Sequence, residues 1–121
     1  MALRVYAYEK CDTCRKALKF LKDKGIAHEV IPIRQQPPTV EELRAMLEYV
    51  EGDLRRLFNT SGQDYKAMNM KQRLPGIAEE EAFELLSKNG NLVKRPFAIA
   101  PGVGTVGFDQ AVWEKFVSRI Q

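Results

Sequence analysis

The two cysteines of this 121-residue chain, Cys11 and Cys14, lie at the junction of a strand pattern and a helix pattern. Residues 3–8 alternate and contain strand-forming side chains, whereas residues 15–22 repeat apolar side chains with helical spacing. At a helix N-terminus the unpaired backbone N–H groups and the helix dipole favour an anion, so a thiol there loses its proton readily. We therefore predict that Cys11 is a nucleophile and that Cys14, one helical turn further on, resolves the adduct by forming a disulfide with Cys11.

The first half of the chain predicts parallel strands and then a series of helices. A second strand pattern at residues 27–33 follows the first helix, which gives a β-α-β unit with parallel strands. Thr39 and Glu42 form a capping-box pattern at the start of a helix over residues 40–50. Helical patterns with polar turns continue to residue 90.

The last quarter predicts a hairpin and a final helix. Residues 97–100 and 105–108 have strand patterns and are separated by the Gly- and Pro-containing turn 101–104, which indicates antiparallel strands. Asp109 is placed to cap the last helix. Phe108, Trp113 and Phe116 are predicted to pack the last helix on the sheet. This helix also carries the apolar side chains Val112, Val117 and Ile120.

Together these patterns predict an α/β fold with a mixed sheet, in the order β-α-β and then β-β-α. A helical insertion at about residues 39–90 separates the two halves. We expect one domain over residues 1–121, because this length suits a single hydrophobic core and no linker divides it.

Composition narrows the classes of partner. The net charge of +3 is too small and dispersed to predict nucleic-acid or membrane binding, and we expect a monomer. The N-terminus has no signal-peptide pattern and no apolar run reaches membrane-spanning length, so the expected location is cytoplasmic. In a reducing compartment a lone cysteine pair favours a redox or metal role over a structural disulfide.

A metal site is not expected. A structural zinc ion needs about four ligands, and the chain offers two cysteines and one histidine, His28. We interpret His28 as a half-exposed strand residue.

Four segments carry a family resemblance in order and spacing: CDTCRKA at 11–17, FNTSG at 58–62, LVKRP at 92–96 and VGF at 106–108. On these residues the chain resembles the ArsC-like family, which includes glutaredoxin-coupled arsenate reductases and the Spx regulators. The resemblance implies a thioredoxin-like fold with no bound cofactor. It also implies a thiol reductant as co-substrate, either glutathione with glutaredoxin or thioredoxin.

The resemblance also assigns site residues. Arg95, whose guanidinium offers a planar fork of donors, is expected to lie against Cys11, and Pro96 is expected to have a cis peptide bond facing the cysteines. Thr13 and Asn59 are expected to help position the substrate. Without the resemblance, Arg95 could equally be a solvated residue, Pro96 a trans proline and Asn59 a simple turn residue.

The sequence departs from the arsenate reductases at two positions. They place one arginine where this chain has Asn59 and another in the Gly107–Phe108 region, so only Arg95 remains of three. Loss of two charge-assisted contacts, at about 1.5 to 3 kcal/mol each, weakens oxyanion binding by orders of magnitude. Arsenate reduction is therefore predicted to be inefficient. Arg15 and Lys16 could supply charge to Cys11 or could simply be solvated.

The leading functional hypothesis is a small thiol-disulfide oxidoreductase. The alternative is an Spx-like redox switch that binds the RNA polymerase alpha subunit, since Gly52 aligns with a glycine of the Spx pattern used in that contact. Gly52 is otherwise a turn glycine, and the chain ends before the arginine-rich tail that extends Spx proteins. In a third reading the domain is structural, and the pKa of Cys11 is then ordinary.

Overall fold

The computed structural model describes residues 3–120 and contains a four-stranded mixed sheet in the order β2-β1-β3-β4. The strands are β1 (Arg4–Ala7), β2 (Glu29–Pro32), β3 (Phe97–Ala100) and β4 (Val103–Val106). β1 runs parallel to β2 and antiparallel to β3, and β3 is antiparallel to β4. The predicted mixed sheet is confirmed.

Six α-helices surround the sheet in the described part of the chain. They are α1 (Asp12–Asp23), α2 (Val40–Tyr49), α3 (Gln63–Ala67), α4 (Met70–Arg73), α5 (Glu79–Lys88) and α6 (Gln110–Ile120). Short 3₁₀ helices occupy Leu54–Leu57, Leu74–Gly76 and Gly90–Leu92. The predicted order of β-α-β, then helices, then β-β-α is confirmed.

The start of α2 has the predicted capping box. Thr39 Oγ1 accepts a hydrogen bond from the Glu42 backbone N–H at 3.2 Å, and Glu42 Oε1 accepts one from the Thr39 N–H at 3.0 Å. The Glu42 carboxylate also accepts from the Tyr6 hydroxyl at 2.6 Å and from Arg4 at 2.8 Å. This cap therefore ties α2 to the first strand.

The hairpin turn is shorter than predicted. The turn consists of Pro101 and Gly102 alone, and β4 begins at Val103 rather than at residue 105. Val103 pairs with Ala100, and the side chains of Val103 and Thr105 are both buried. Burial of these alternate side chains favours the tighter turn, with Gly102 at a φ of +80° that suits glycine.

Two hydrophobic clusters lie on opposite faces of the sheet, because successive residues of β1 point in opposite directions. Val5 packs with residues of α1 and α6, and Tyr6 packs with residues of α2 and α5. On α6 the predicted core residues Trp113 and Phe116 are buried, and so is Val117.

One apolar residue of α6 is not buried. Val112 is 46% exposed, because it stands just outside the buried stripe of the helix.

Within residues 3–120, none of the helices has the length and apolar character that a bilayer crossing requires.

Candidate active site

Cys11 is the N-cap residue of α1. Its backbone is extended, and its Sγ accepts a hydrogen bond from the Cys14 backbone N–H at 3.3 Å. Cys11 is half-buried, whereas Cys14 is 1% exposed, and both are free thiols. The predicted position of Cys11 at a helix N-terminus is confirmed, with the outer sulfur held by the first turn of the helix.

The two thiols differ in acidity. Partial burial of Cys11 would raise its pKa, but hydrogen bonds from the Cys14 thiol and backbone N–H, and from Arg95, together hold that pKa below its ordinary value. The positive charge of Arg95 acts in the same direction. Burial raises the pKa of Cys14 to about 12, and the neighbouring Cys11 sulfur adds to this effect. The arrangement therefore favours a thiolate at Cys11 and a protonated thiol at Cys14.

Arg95 reaches this site from the loop that precedes β3. Its guanidinium carbon lies 5.2 Å from the ring centroid of Tyr8, and the Tyr8 carbonyl accepts the Cys11 backbone N–H at 3.1 Å. The Arg95–Pro96 peptide bond is cis, as the resemblance implied. The structure thus brings Arg95 and the Cys11 turn together at Tyr8.

Arg34 also contacts Tyr8, and the sequence analysis did not identify either residue. The Arg34 guanidinium carbon lies 4.9 Å from the centre of the Tyr8 ring, and Arg34 donates a hydrogen bond to the Tyr8 hydroxyl at 2.9 Å. A usable signal existed, because Tyr8 ends the first strand of the predicted parallel pair and Arg34 directly follows the second. The carboxyl ends of such strands meet at one edge of a sheet.

Asn59 and Thr13 are the two residues that were expected to help position the substrate. The Asn59 backbone N–H donates to the Leu92 carbonyl at 2.8 Å, and its side-chain amide donates to the Asn91 carbonyl at 3.4 Å. Across residues 3–120, no hydrogen bond joins Asn59 to either cysteine. Thr13 is exposed in the first turn of α1. The positioning roles of these two residues remain predictions.

The Gly107–Phe108 segment, where the resemblance implies an arginine in arsenate reductases, contains packing residues. Gly107 has a φ of +70°, and its carbonyl accepts the Trp113 indole N–H at 2.8 Å. The Phe108 ring lies 5.5 Å from that of Trp113 and 5.8 Å from that of Phe20. This segment is therefore part of the apolar cluster beneath α6.

Arg15 is not free to act on Cys11. Its guanidinium pairs with Asp12 at 2.9 Å and donates to the Glu9 carbonyl at 3.0 Å. Lys16 is exposed on the same helix. The positive charge that lowers the pKa of Cys11 comes from Arg95 instead.

No group of three or more potential metal ligands is gathered among the residues that the structure describes. His28 is half-buried just before β2, with Nδ1 2.8 Å from the Ile26 carbonyl oxygen.

The chain is similar to several known proteins over nearly its whole length. The model of the ArsC family matches residues 6–116. The uncharacterized protein YusI of Bacillus subtilis is 44% identical over 95% of this chain and 98% of its own length. A solved ArsC family related protein from Bacteroides fragilis is 39% identical, with a TM-score of 0.89, and the match covers 96% of this chain and 98% of that one.

A more distant relative is a regulator. The global transcriptional regulator Spx of Enterococcus faecalis is 28% identical over 97% of this chain and 87% of its own length.

The predicted thioredoxin-like fold is confirmed by the structural likeness to ArsC proteins.

Proposed function

The chain belongs to the ArsC family, and from this premise we propose that it is a thiol-disulfide oxidoreductase with Cys11 as nucleophile and Cys14 as resolving thiol. The observation that carries the proposal is the pairing of two unlike thiols at one helix N-terminus. Cys11 is accessible and its pKa is lowered, whereas Cys14 is buried and its pKa is raised. Such a pair reacts in order, because the outer sulfur attacks first and the inner thiol keeps its proton until an adduct forms.

The reaction proceeds in two exchanges. The Cys11 thiolate attacks one sulfur of a substrate disulfide, so that a mixed disulfide forms and the other substrate sulfur leaves as a thiolate that takes a proton. Cys14 then loses its proton and attacks the Cys11 sulfur, which releases the second substrate thiolate and leaves a Cys11–Cys14 disulfide. The substrate gains two electrons and the protein loses two. A thiol reductant, glutathione with glutaredoxin or thioredoxin, restores the dithiol.

The site residues other than the two cysteines have supporting roles in this proposal. Arg95 stabilises the thiolate, while Thr13, Asn59 and Pro96 help to position the substrate. Efficient arsenate reduction does not fit this proposal, because the resemblance places arginines of the arsenate reductases at the positions of Asn59 and of the Gly107–Phe108 region.

The proposal is tested by trapping the mixed disulfide. With bis(2-hydroxyethyl) disulfide, Cys14→Ser should accumulate a single adduct on Cys11 by mass spectrometry, whereas the wild type should pass on to an internal disulfide. Cys11→Ser should lose turnover coupled to glutathione or thioredoxin. Full turnover by Cys11→Ser would rule out the assignment.

A second function, that of an Spx-like redox-switched regulator, is favoured by one exposed feature. Gly52 lies in an exposed turn with a φ of +78°, and no atom lies within 4 Å of the position a Cβ would take. A hollow of about 380 Å³ beside this turn is lined by Arg55, Arg56 and Lys94, among other residues. Under this regulator hypothesis the RNA polymerase alpha subunit binds at the Gly52 turn. The redox state of Cys11 and Cys14, dithiol or disulfide, controls that binding.

The two functions are separated by a binding measurement with the C-terminal domain of the RNA polymerase alpha subunit. The regulator hypothesis expects binding that differs between dithiol and disulfide forms and is lost in Gly52→Arg. Gly25→Arg is the matched control, because Gly25 is also exposed, has a φ of +69° and has no neighbouring atom within 4 Å. Absence of binding in both redox states would exclude the regulator.

A further inference from the structure

Tyr8 links the Cys11 turn to two arginines from distant parts of the chain. It lies between β1 and α1, and its carbonyl accepts the Cys11 backbone N–H at 3.1 Å. The guanidinium carbons of Arg34 and Arg95 lie 4.9 Å and 5.2 Å from the centre of its ring. A guanidinium group at such a distance is attracted to the electron-rich face of an aromatic ring. The Tyr8 side chain therefore makes contacts that its backbone role in the turn does not require.

Arg95 has few other contacts that could hold its guanidinium in place. Among residues 3–120 it forms no ion pair, and its side chain donates no hydrogen bond to an oxygen atom. Yet Arg95 acts on Cys11 through a hydrogen bond and through its positive charge. An arginine side chain has several rotatable bonds, so keeping it in one position costs conformational entropy. Attraction to the Tyr8 ring offsets part of that cost.

Two further contacts hold the Tyr8 ring itself. Arg34 donates a hydrogen bond to the Tyr8 hydroxyl at 2.9 Å. The Tyr8 side chain is also half-buried and packs against the hydrophobic cluster that contains Tyr6. Since Arg34 lies in the turn after β2, the hydrogen bond joins that turn to the loop before Cys11. The ring that Arg95 meets is thus held by contacts that do not involve Cys11.

We propose that Tyr8 is a positioning residue of this site, whose ring holds the Arg95 guanidinium against Cys11 while Arg34 fixes the ring through its hydroxyl. The inference rests on the proposed function, in which Arg95 stabilises the Cys11 thiolate, and it adds a residue that acts through Arg95. Tyr8→Leu keeps an apolar side chain but removes the attraction to the guanidinium. Tyr8→Phe keeps the ring and removes only the hydroxyl.

The test measures the pH midpoint for alkylation of Cys11 by iodoacetamide in the reduced protein, with adducts assigned by mass spectrometry. Tyr8→Leu should raise this midpoint by about 0.5 pH unit, the size expected when a cation–π contact at a partly exposed site is lost. Tyr8→Phe should raise it less, because the ring remains. Tyr49→Leu is the matched control and should leave the midpoint unchanged, since Tyr49 is also half-buried and packs against the same cluster.

A positioning role is separated from a structural role by combining two substitutions. If the ring acts through Arg95, adding Tyr8→Leu to Arg95→Gln should not raise the midpoint further, because no guanidinium remains to be positioned. If Tyr8 instead supports the fold of the Cys11 turn, Tyr8→Leu should raise the midpoint equally with and without Arg95. That second result would overturn the inference.

The outcomes also distinguish this inference from the proposed function. An unchanged midpoint in Tyr8→Leu would contradict the role of Tyr8, and a trapped Cys11 adduct in Cys14→Ser would leave the oxidoreductase assignment standing. A shift in Tyr8→Phe as large as that in Tyr8→Leu would likewise contradict it, since the ring would not be responsible. If Cys14→Ser traps no adduct, the oxidoreductase assignment fails, whereas a Tyr8→Leu shift that depends on Arg95 still supports the positioning role.

Discussion

At the scale of single residues, Cys11 and Cys14 have the same side chain in opposite surroundings. Cys11 occupies the N-cap position and faces Arg95, whereas Cys14 points into the apolar cluster beneath α1. One helical turn thus separates a stabilised thiolate from a thiol that resists ionisation. The order of reaction follows from this difference in environment.

The difference predicts how alkylation of the reduced protein depends on pH. Because the pKa of Cys11 is lowered, its alkylation should be half-maximal below pH 8.5, the region typical of a free cysteine. Cys14 should react only as the pH approaches about 12. Arg95→Gln should shift the Cys11 profile to higher pH, since it removes both a hydrogen bond and a positive charge, whereas Arg44→Gln should not. Site-resolved mass spectrometry of iodoacetamide adducts measures both profiles, and a Cys11 midpoint at or above 8.5 would contradict the mechanism.

At the scale of elements, local sequence signals predicted the helix starts well. The Thr39–Glu42 capping box and the Cys11 junction each depend on residues within one turn of one another, so the sequence contains the whole interaction.

The length of the hairpin turn was less predictable from the sequence. Its length depended on burying Val103 and Thr105 against the sheet, and turn residues 101–104 were compatible with either length.

Gly90 provides a test of how two elements fit together. It begins the 3₁₀ helix before β3, and a Cβ placed there would overlap the Ile33 carbonyl and lie 2.6 Å from the Ile33 carbonyl carbon. Gly90→Ala should therefore lower the free energy of unfolding by about 2 kcal/mol or more, because backbone atoms must move. Denaturant unfolding followed by circular dichroism measures the change.

Gly76→Ala is the matched control for this substitution. Gly76 also lies in a short 3₁₀ helix, and its Cβ would meet no atom within 4 Å. We expect a change within about 0.5 kcal/mol there. Similar losses in both variants would show that glycine flexibility, rather than contact with Ile33, determines the effect.

At the scale of the whole molecule, we propose that residues 1–121 form one domain with the helical insertion as an integral part. The sheet is shared, because β1 contributes Val5 to the cluster on one face and Tyr6 to the cluster on the other. The insertion contributes α2 and α5 to the second cluster. Loss of either cluster should therefore remove support from the other.

A single cooperative transition follows from this arrangement. Trp113 is the chain's one tryptophan and lies on the buried face of α6, whereas most of the helices lie in the insertion on the other side of the sheet. Tryptophan fluorescence and far-ultraviolet circular dichroism should therefore report the same midpoint in urea. Separate midpoints would mean that the insertion unfolds as its own unit.

Local sequence patterns were enough to predict a thiol at a helix N-terminus, a second thiol one turn inside, and the order of strands and helices. These features depend on neighbours within a few residues, and family resemblance added Arg95 and the cis bond at Pro96. The contact of both Arg34 and Arg95 with Tyr8, whose carbonyl accepts the Cys11 N–H, became visible only in the tertiary structure. Arg34 and Arg95 meet at Tyr8 because β1 lies between a parallel and an antiparallel neighbour, and pairing between strands so far apart in sequence depends on packing of the whole sheet.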